Sequence, residues 1–167
     1  MQRRLIVMRH AKSDWSSGAS SDHARPLNAR GRHDAPRVAR RLAALGWVPD
    51  RTLSSTAERT RETWALMAPE LGRFVDVAFL DALYLAGTDA LRAALDEVPD
   101  ELETVLALGH NPGWEEAAAW LTGQHVGLTT ANALLLAGEG DSWAEAVGAP
   151  GTWRLVEHVR PRDLDDA

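Results

Sequence analysis

The stretch that decides the fold is Leu5-Ile6-Val7-Met8-Arg9-His10-Ala11-Lys12-Ser13-Asp14-Trp15. Leu5 to Met8 is an unbroken apolar run, which suits a strand buried on both faces, as in a parallel sheet covered by helices. The run stops abruptly at Arg9 and His10, so a guanidinium and an imidazole arrive at a strand's carboxyl end. Ligands of open α/β sheets bind just beyond those ends, and this pair suggests a site that handles an anion. The bland alternative is two polar residues that merely close a strand.

Working outward, the irregular stretch after His10 runs to Asn28 and is rich in Ser, Asp, Gly and Pro. Loops this long at a strand end are more often functional than accidental. Asn28 can cap a helix reaching about Leu45 with Ala35, Val38, Ala39 and Leu42 on its apolar face; Pro36 falls early in it and Gly46 ends it. Arg51 to Ser54 reads as a second strand, and Ser55-Thr56-Ala57-Glu58 as a capping box opening another helix, with Thr60, Thr63, Trp64 and Met67 on one face. Arg59 then lies in a first turn, where the helix dipole disfavours a cation unless an anion is bound nearby. The alternative is a solvated Arg59 paired with Glu58 or Glu62.

Phe74 to Leu80 alternates as a strand, and Thr88 caps a helix carrying Leu91, Ala94, Leu95 and Val98. Glu103 to Leu108 is a further apolar strand that ends in Gly109-His110-Asn111-Pro112-Gly113. Asn111 as cap and Pro112 at the first helical position open a helix facing Trp114, Ala117, Ala118 and Leu121 to the core. Asn132 to Ala137 and Thr152 to Val159 read as two more strands, with a helical turn near Ser142 to Val147. Strands alternating with helices predict an α/β sandwich of three layers, with a mostly parallel central sheet flanked by helices. One domain over residues 1–160 and a frayed acidic tail over 161–167 are expected.

Composition narrows the function classes. The 167 residues contain no cysteine, which excludes disulfides, thiolate metal sites and a cysteine nucleophile. Net charge is −6, which argues against a general nucleic-acid binder. That charge is uneven: Met1 to Arg61 holds 13 Lys plus Arg against 5 Asp plus Glu, and the remainder 5 against 19. The basic segment is the one with Arg9 and His10. No apolar run approaches the roughly 20 residues of a membrane span, and Met1 to Arg4 is followed by too short an apolar stretch for a signal peptide, so no membrane association and a cytoplasmic location are expected.

Three strand-to-helix junctions therefore carry Arg9 with His10, Ser55 with Arg59, and His110. In a sheet parallel at its centre they converge on one edge, two guanidiniums and two imidazoles around one anion. That set suits phosphoryl transfer: Arg forks hold the equatorial oxygens, a neutral His attacks phosphorus, and a second His supports the developing charge.

These residues resemble a known family. Arg9-His10 after an apolar strand, Ser55 followed by Arg59 and Thr63, and Gly109-His110-Asn111-Pro112-Gly113 are similar to the histidine phosphatase superfamily. The fuller run, with Arg9-His10-Ala11-Lys12-Ser13, Arg25-Pro26-Leu27-Asn28-Ala29-Arg30-Gly31 and Leu83-Tyr84, most resembles SixA-type phosphohistidine phosphatases, over about Leu5 to Gly123. The resemblance implies a phosphoglycerate mutase-like fold and a bacterial, metal-independent hydrolase without cofactor. It makes His10 the phosphorylated nucleophile and Arg9 and Arg59 the phosphoryl clamp, with His110 completing the pocket; Lys12, Ser16 and Asn111 are candidate substrate contacts. Lys12 and Ser16 could equally belong to a solvated loop.

One departure from the family pattern bears on substrate. Members that act on poor alcohol leaving groups usually have a Glu or Asp general acid after the third strand, where Leu80-Asp81-Ala82-Leu83-Tyr84 offers only Asp81 nearby. A phosphoramidate nitrogen can be protonated before its bond breaks and needs less help. A phosphorylated protein, either a phosphotransfer domain or a carrier, is thus the expected partner, with small phosphates as possible substrates. Competing readings are a small-molecule phosphomonoesterase, a mutase, and a phosphoprotein-binding module without turnover. His23, His33, His125 and His158 have no metal-ligand spacing and read as surface or loop residues, and Trp64 and Trp114 as packing.

Overall fold

The structure, a computed structural model, describes residues 1–164. Strand β1 spans Gln2–Arg9 and is buried on both sides for the reason its sequence suggests. Leu5 and Val7 enter one core while Ile6 and Met8 enter the other, all four fully buried, as the period of two in a strand requires. Strands β2 (Arg51–Ser55), β3 (Asp76–Leu80), β4 (Thr104–Gly109), β5 (Ala133–Glu139) and β6 (Arg154–Val159) complete one sheet in the order β3-β2-β4-β1-β5-β6. Pairings β1 with β4, β4 with β2, and β2 with β3 are parallel, whereas β5 runs antiparallel to both its neighbours. The sheet is therefore mixed, and mostly parallel.

Helices α1 (Ala29–Ala44) and α2 (Glu58–Met67) cover the Ile6 face through Val38, Leu42, Trp64 and Met67. Helices α3 (Thr88–Asp96), α4 (Gly113–Thr122) and the single turn α5 (Trp143–Ala146) cover the Leu5 face through Leu91, Leu95, Trp114 and Trp143. This is the three-layer sandwich expected. Truncating any of the fully buried leucines to Ala costs about 2–5 kcal/mol by lost burial and cavity formation.

Helix starts differ in instructive ways. Asn28 caps α1 as expected, its Oδ1 accepting from Gly31 N at 2.9 Å. The capping box at Ser55 does not form: α2 begins at Glu58 behind Ala57, with no side-chain cap. Ser55 is still in β2, paired with Leu80, and its hydroxyl serves another partner described below. Gly87 rather than Thr88 precedes α3, and Pro112 rather than Asn111 precedes α4, although Asn111 Oδ1 still accepts from Glu115 N at 3.3 Å. β3 starts only at Asp76, leaving Phe74 86% exposed.

The chain end also departs from the expected frayed tail. Pro161–Asp163 forms a 3₁₀ turn with Pro161 buried, Leu164 packs on the α1 side, and Arg37 Nη2 donates to Leu164 O at 2.6 Å. Two apolar side chains outweigh the acidic composition here. Residues 165–167 lie outside the described part. At the opposite end of β1, Arg3 is fully buried and donates to the carbonyls of Asp100, Leu102, Gly140 and Asp141 at 2.6–3.0 Å.

Two glycines let backbones meet where the site is built. A Cβ on Gly31 would lie 2.2 Å from Lys12 O, and one on Gly113 1.8 Å from Ala86 O. The first contact seats the loop after His10 on α1; the second seats α4 on the segment after β3.

Candidate active site

The neighbouring parallel strands β2, β4 and β1 end at one edge, so Ser55, His110 and Arg9 with His10 converge. His10 and His110 are buried with ring centroids 5.4 Å apart, and Arg59 reaches between them from the first turn of α2. Its Nε donates to His10 Nε2 at 3.3 Å, and its Nη2 to His110 Nδ1 at 3.3 Å. Arg59 pairs with neither Glu58 nor Glu62; it is buried, and Glu62 instead accepts from Leu27 N.

The hydrogen bonds fix both tautomers. The Ala11 carbonyl can only accept, so His10 Nδ1 carries the proton it donates at 2.7 Å and Nε2 keeps its lone pair. His110 likewise accepts at Nδ1 and donates from Nε2 to Ser55 Oγ at 2.8 Å. Burial, more than the neighbouring cations, pulls both histidines down to about 3, so both are neutral near pH 7. The first residue beyond His10 is held as well, Ala11 N donating to Thr63 Oγ1 at 3.0 Å.

The cavity at this edge, about 280 Å³, is lined by Arg9, His10, Lys12, Ser13, Arg59, His110 and Asn111, among others. Arg9 donates to Leu128 O at 3.2 Å, as does Asn111 Nδ2 at 2.7 Å, and the buried Nε of Arg9 has no acceptor. Larger hollows lie elsewhere, up to about 540 Å³ beside β6, and one of them also gathers His125, His158, Arg160 and Arg162. Among the described residues, however, only the cavity at this edge has a guanidinium hydrogen-bonded to two imidazoles at the carboxyl ends of parallel strands. Of the candidate contacts, Lys12 and Asn111 line it and Ser16 does not. Ser16 donates to Asp14 Oδ1 through both its amide and its hydroxyl, and Ser13 lines the cavity in its place. Among the described residues no group of three or more His, Asp or Glu is placed to hold a metal ion.

Comparison with known proteins agrees with this geometry. The family model for the histidine phosphatase superfamily, branch 1, matches residues 5–84. An uncharacterised chloroplastic protein of Arabidopsis thaliana is 42% identical over 173 residues, covering 96% of this chain and 79% of its own. The chain belongs to the histidine phosphatase superfamily. A solved structure assigned as phosphohistidine phosphatase SixA from Nakamurella multipartitia has a TM-score of 0.85 at 27% identity, covering 96% of this chain and 97% of its own. Its counterpart from Agrobacterium tumefaciens has a TM-score of 0.80 at 26% identity, covering 95% and 98%. The protein is SixA-like within the superfamily and has the phosphoglycerate mutase-like fold. No helix among its described residues is long and apolar enough to cross a membrane.

As a histidine phosphatase it carries one pocket group that sequence reasoning missed. Asp22, in the loop between β1 and α1, accepts from Arg59 through its carboxylate at 3.1 Å and its backbone carbonyl at 2.8 Å. Tyr84 hydroxyl also donates to that carboxylate, and Arg25 Nε does so at 3.1 Å. These donors, Tyr84 foremost, hold Asp22 down to about 2. Arg25 in turn stacks under Trp15, its guanidinium 3.5 Å from the ring centroid, and the indole's 81% exposure leaves it at the pocket mouth. A second carboxylate besides Asp14 in a serine-rich loop was the available signal. It pointed to no partner because Tyr84 lies beyond β3.

Asp81, the nearest acid after β3, is placed elsewhere. Its Oδ1 accepts from Thr56 Oγ1 at 2.7 Å, and Thr56 accepts from His23 Nε2 at 3.0 Å. Thr56 thus joins His23 to Asp81, and His23, read as a loop residue, packs edge-on against Tyr84. Trp64 and Trp114 are buried packing residues.

Proposed function

We propose that this histidine phosphatase hydrolyses phosphohistidine on a protein, without a metal ion, through a phosphoryl group carried on His10 Nε2. The phosphoryl oxygens take the donors of Arg59 now given to Asp22 and His110, and the unpartnered Nε of Arg9 gains an acceptor. The Nε2 lone pair attacks phosphorus, the P–N bond of the substrate breaks, and the leaving imidazole departs with its proton. Water then attacks phospho-His10, releasing inorganic phosphate and restoring the imidazole. Two guanidiniums supply the charge that a metal would otherwise provide. His110, with the bound anion beside it, takes a proton from solvent at Nδ1, keeps it, and donates a hydrogen bond to a phosphoryl oxygen. Lys12 and Asn111 contact the substrate at the pocket wall.

The observation that carries the substrate class is the pocket's carboxylate. Asp22 is the one carboxylate among the described residues lining it, and it is ionised near pH 7. An ionised carboxylate is a poor acid for an alkoxide but a good neighbour for a protonated imidazole. The SixA-like relatives, assigned as phosphohistidine phosphatases, support the same reading. The test compares kcat/KM for a histidine-phosphorylated protein, a small phosphoramidate and an alkyl phosphate with excess chelator present. Preference for the first two is expected; equal use of the alkyl phosphate, or loss of activity reversed by a metal, overturns the reading.

A further inference from the structure

The pocket does not end at Lys12. A second hollow shares Lys12 and Thr130 with it and continues to Arg30 and Arg162; a third shares Arg162 and Asn132 with the second; a fourth shares His158 and Arg160 with the third and reaches Arg40 and Arg41 on α1. The four form one furrow from the catalytic edge, past the turn after β6, to the outer side of α1. Among the described residues, ten Lys or Arg line it against four Asp or Glu. The whole chain has the opposite balance, 18 against 24. The cations are therefore concentrated along one path.

Some of these charges are spent on internal pairs, Arg30 with Asp34, Arg40 with Glu70 and Arg160 with Asp163. Lys12, Arg162 and Arg41 are exposed, and their side chains have no ion pair or hydrogen bond among the described residues. They stand at the start, middle and far end of the furrow. A small phosphate enclosed at His10 reaches none of the outer two.

We infer that the furrow is the docking track for an acidic face of the phosphoprotein substrate, with Arg162 and Arg41 pairing to its carboxylates while the phosphohistidine enters beyond Lys12. This rests on the function proposed above and names what that function recognises outside the pocket. Carboxylates suit Arg forks and steer encounter between oppositely charged surfaces. A nucleic acid suits the furrow less well, because its three outer hollows hold no Trp, Tyr or Phe on which a base could stack.

The test uses two synthetic peptides with one central phosphohistidine, flanked on both sides by Asp and Ala in one and by Lys and Ala in the other, and a small phosphoramidate as reference. The wild-type protein is compared with the double variant Arg41→Glu/Arg162→Glu, and with Arg41→Gln/Arg162→Gln in case charge reversal harms folding. At low salt the wild type should favour the acidic peptide by about tenfold in kcat/KM, and either variant should lose that preference while turning over the phosphoramidate normally. The preference should also shrink at high salt. Equal use of both peptides by the wild type, or a preference the variants keep, overturns the docking track and leaves the chemistry standing. Failure on the phosphoramidate and both peptides overturns the proposed function and the track with it. Inhibition by a single-stranded oligonucleotide as strong as by the unphosphorylated acidic peptide, lost in the variants, also overturns it.

Discussion

Arg59 Nε lies 3.3 Å from His10 Nε2, on the one imidazole nitrogen that carries no proton. Under the proposed function, the guanidinium that holds a phosphoryl oxygen touches the same nitrogen that attacks phosphorus. Rapid acid-free quenching of a phosphoramidate reaction should trap acid-labile phosphate, and phosphorus NMR should place it on Nε2 of His10. His10→Ala should lose label and turnover together. Label on Nδ1, or retained in the Ala variant, contradicts the assignment.

Under the proposed function, Arg9, Arg59 and His110 act as preorganised donors to the phosphoryl group, and each should matter in the same way. Arg9→Ala, Arg59→Ala and His110→Ala are expected to lower turnover by about 10²–10³-fold. Circular dichroism of the variants should match wild type, because these side chains face the cavity rather than either core. A variant with normal rates removes that residue from the mechanism.

The neutral histidines leave a signature in stability. Both are pulled to about 3 in the fold, against about 6.5 unfolded. Between those values the unfolded chain binds more protons than the folded one, so stability falls as pH drops through that window. His10→Asn/His110→Asn should therefore lose less stability than wild type between about pH 7 and about pH 4.5 by urea denaturation. An unchanged acid slope would show that other groups dominate.

Arg3 tests the opposite end of β1. Arg3→Met should remove the donor from four carbonyls and destabilise the protein by about 3 kcal/mol, more than a surface Arg. Turnover at low temperature should persist, since Arg3 and His10 lie at opposite ends of the strand. A thermal midpoint equal to wild type shows those bonds to be dispensable.

Much of this was legible before any coordinates. Leu5 to Met8 reads as a strand buried twice over, and the three strand-to-helix junctions that carry Arg9 with His10, Ser55 with Arg59, and His110 do meet at one edge of the sheet. Local signals failed where tertiary partners took the same atoms. Ser55 has the sequence of a helix cap, yet its hydroxyl accepts from His110 because β2 carries it into the site. Ser16 sits close to His10 in sequence, but Asp14 holds it in a local turn. Asp22 was invisible because a carboxylate's meaning here depends on Arg59 and Tyr84, which the fold brings from α2 and from beyond β3. Pro161 and Leu164 looked like tail until α1 offered them a surface.

Asp22 is therefore the residue on which the substrate reading is most exposed. Its carboxylate pairs with Arg59, so a phosphoryl group bound at His10 competes with it for one guanidinium. Asp22→Asn removes the competing charge while keeping the shape, and inorganic phosphate should bind the variant several-fold more tightly by calorimetry. Turnover should move the other way and unevenly. Once displaced, the ionised carboxylate remains beside Tyr84 and Arg25 at the mouth, where a protonated imidazole must leave. Losing it should slow phosphoramidate cleavage by about tenfold or more, within the range of a single acid–base or charge-pairing group. Alkyl phosphate cleavage, which draws no proton from a carboxylate held at about 2, should change little. The discriminating measurement is the ratio of the two kcat/KM values in wild type and variant. If Asp22→Asn abolishes alkyl phosphate cleavage and spares the phosphoramidate, Asp22 is serving as a general acid, and the protein belongs with phosphomonoesterases rather than with enzymes of phosphohistidine.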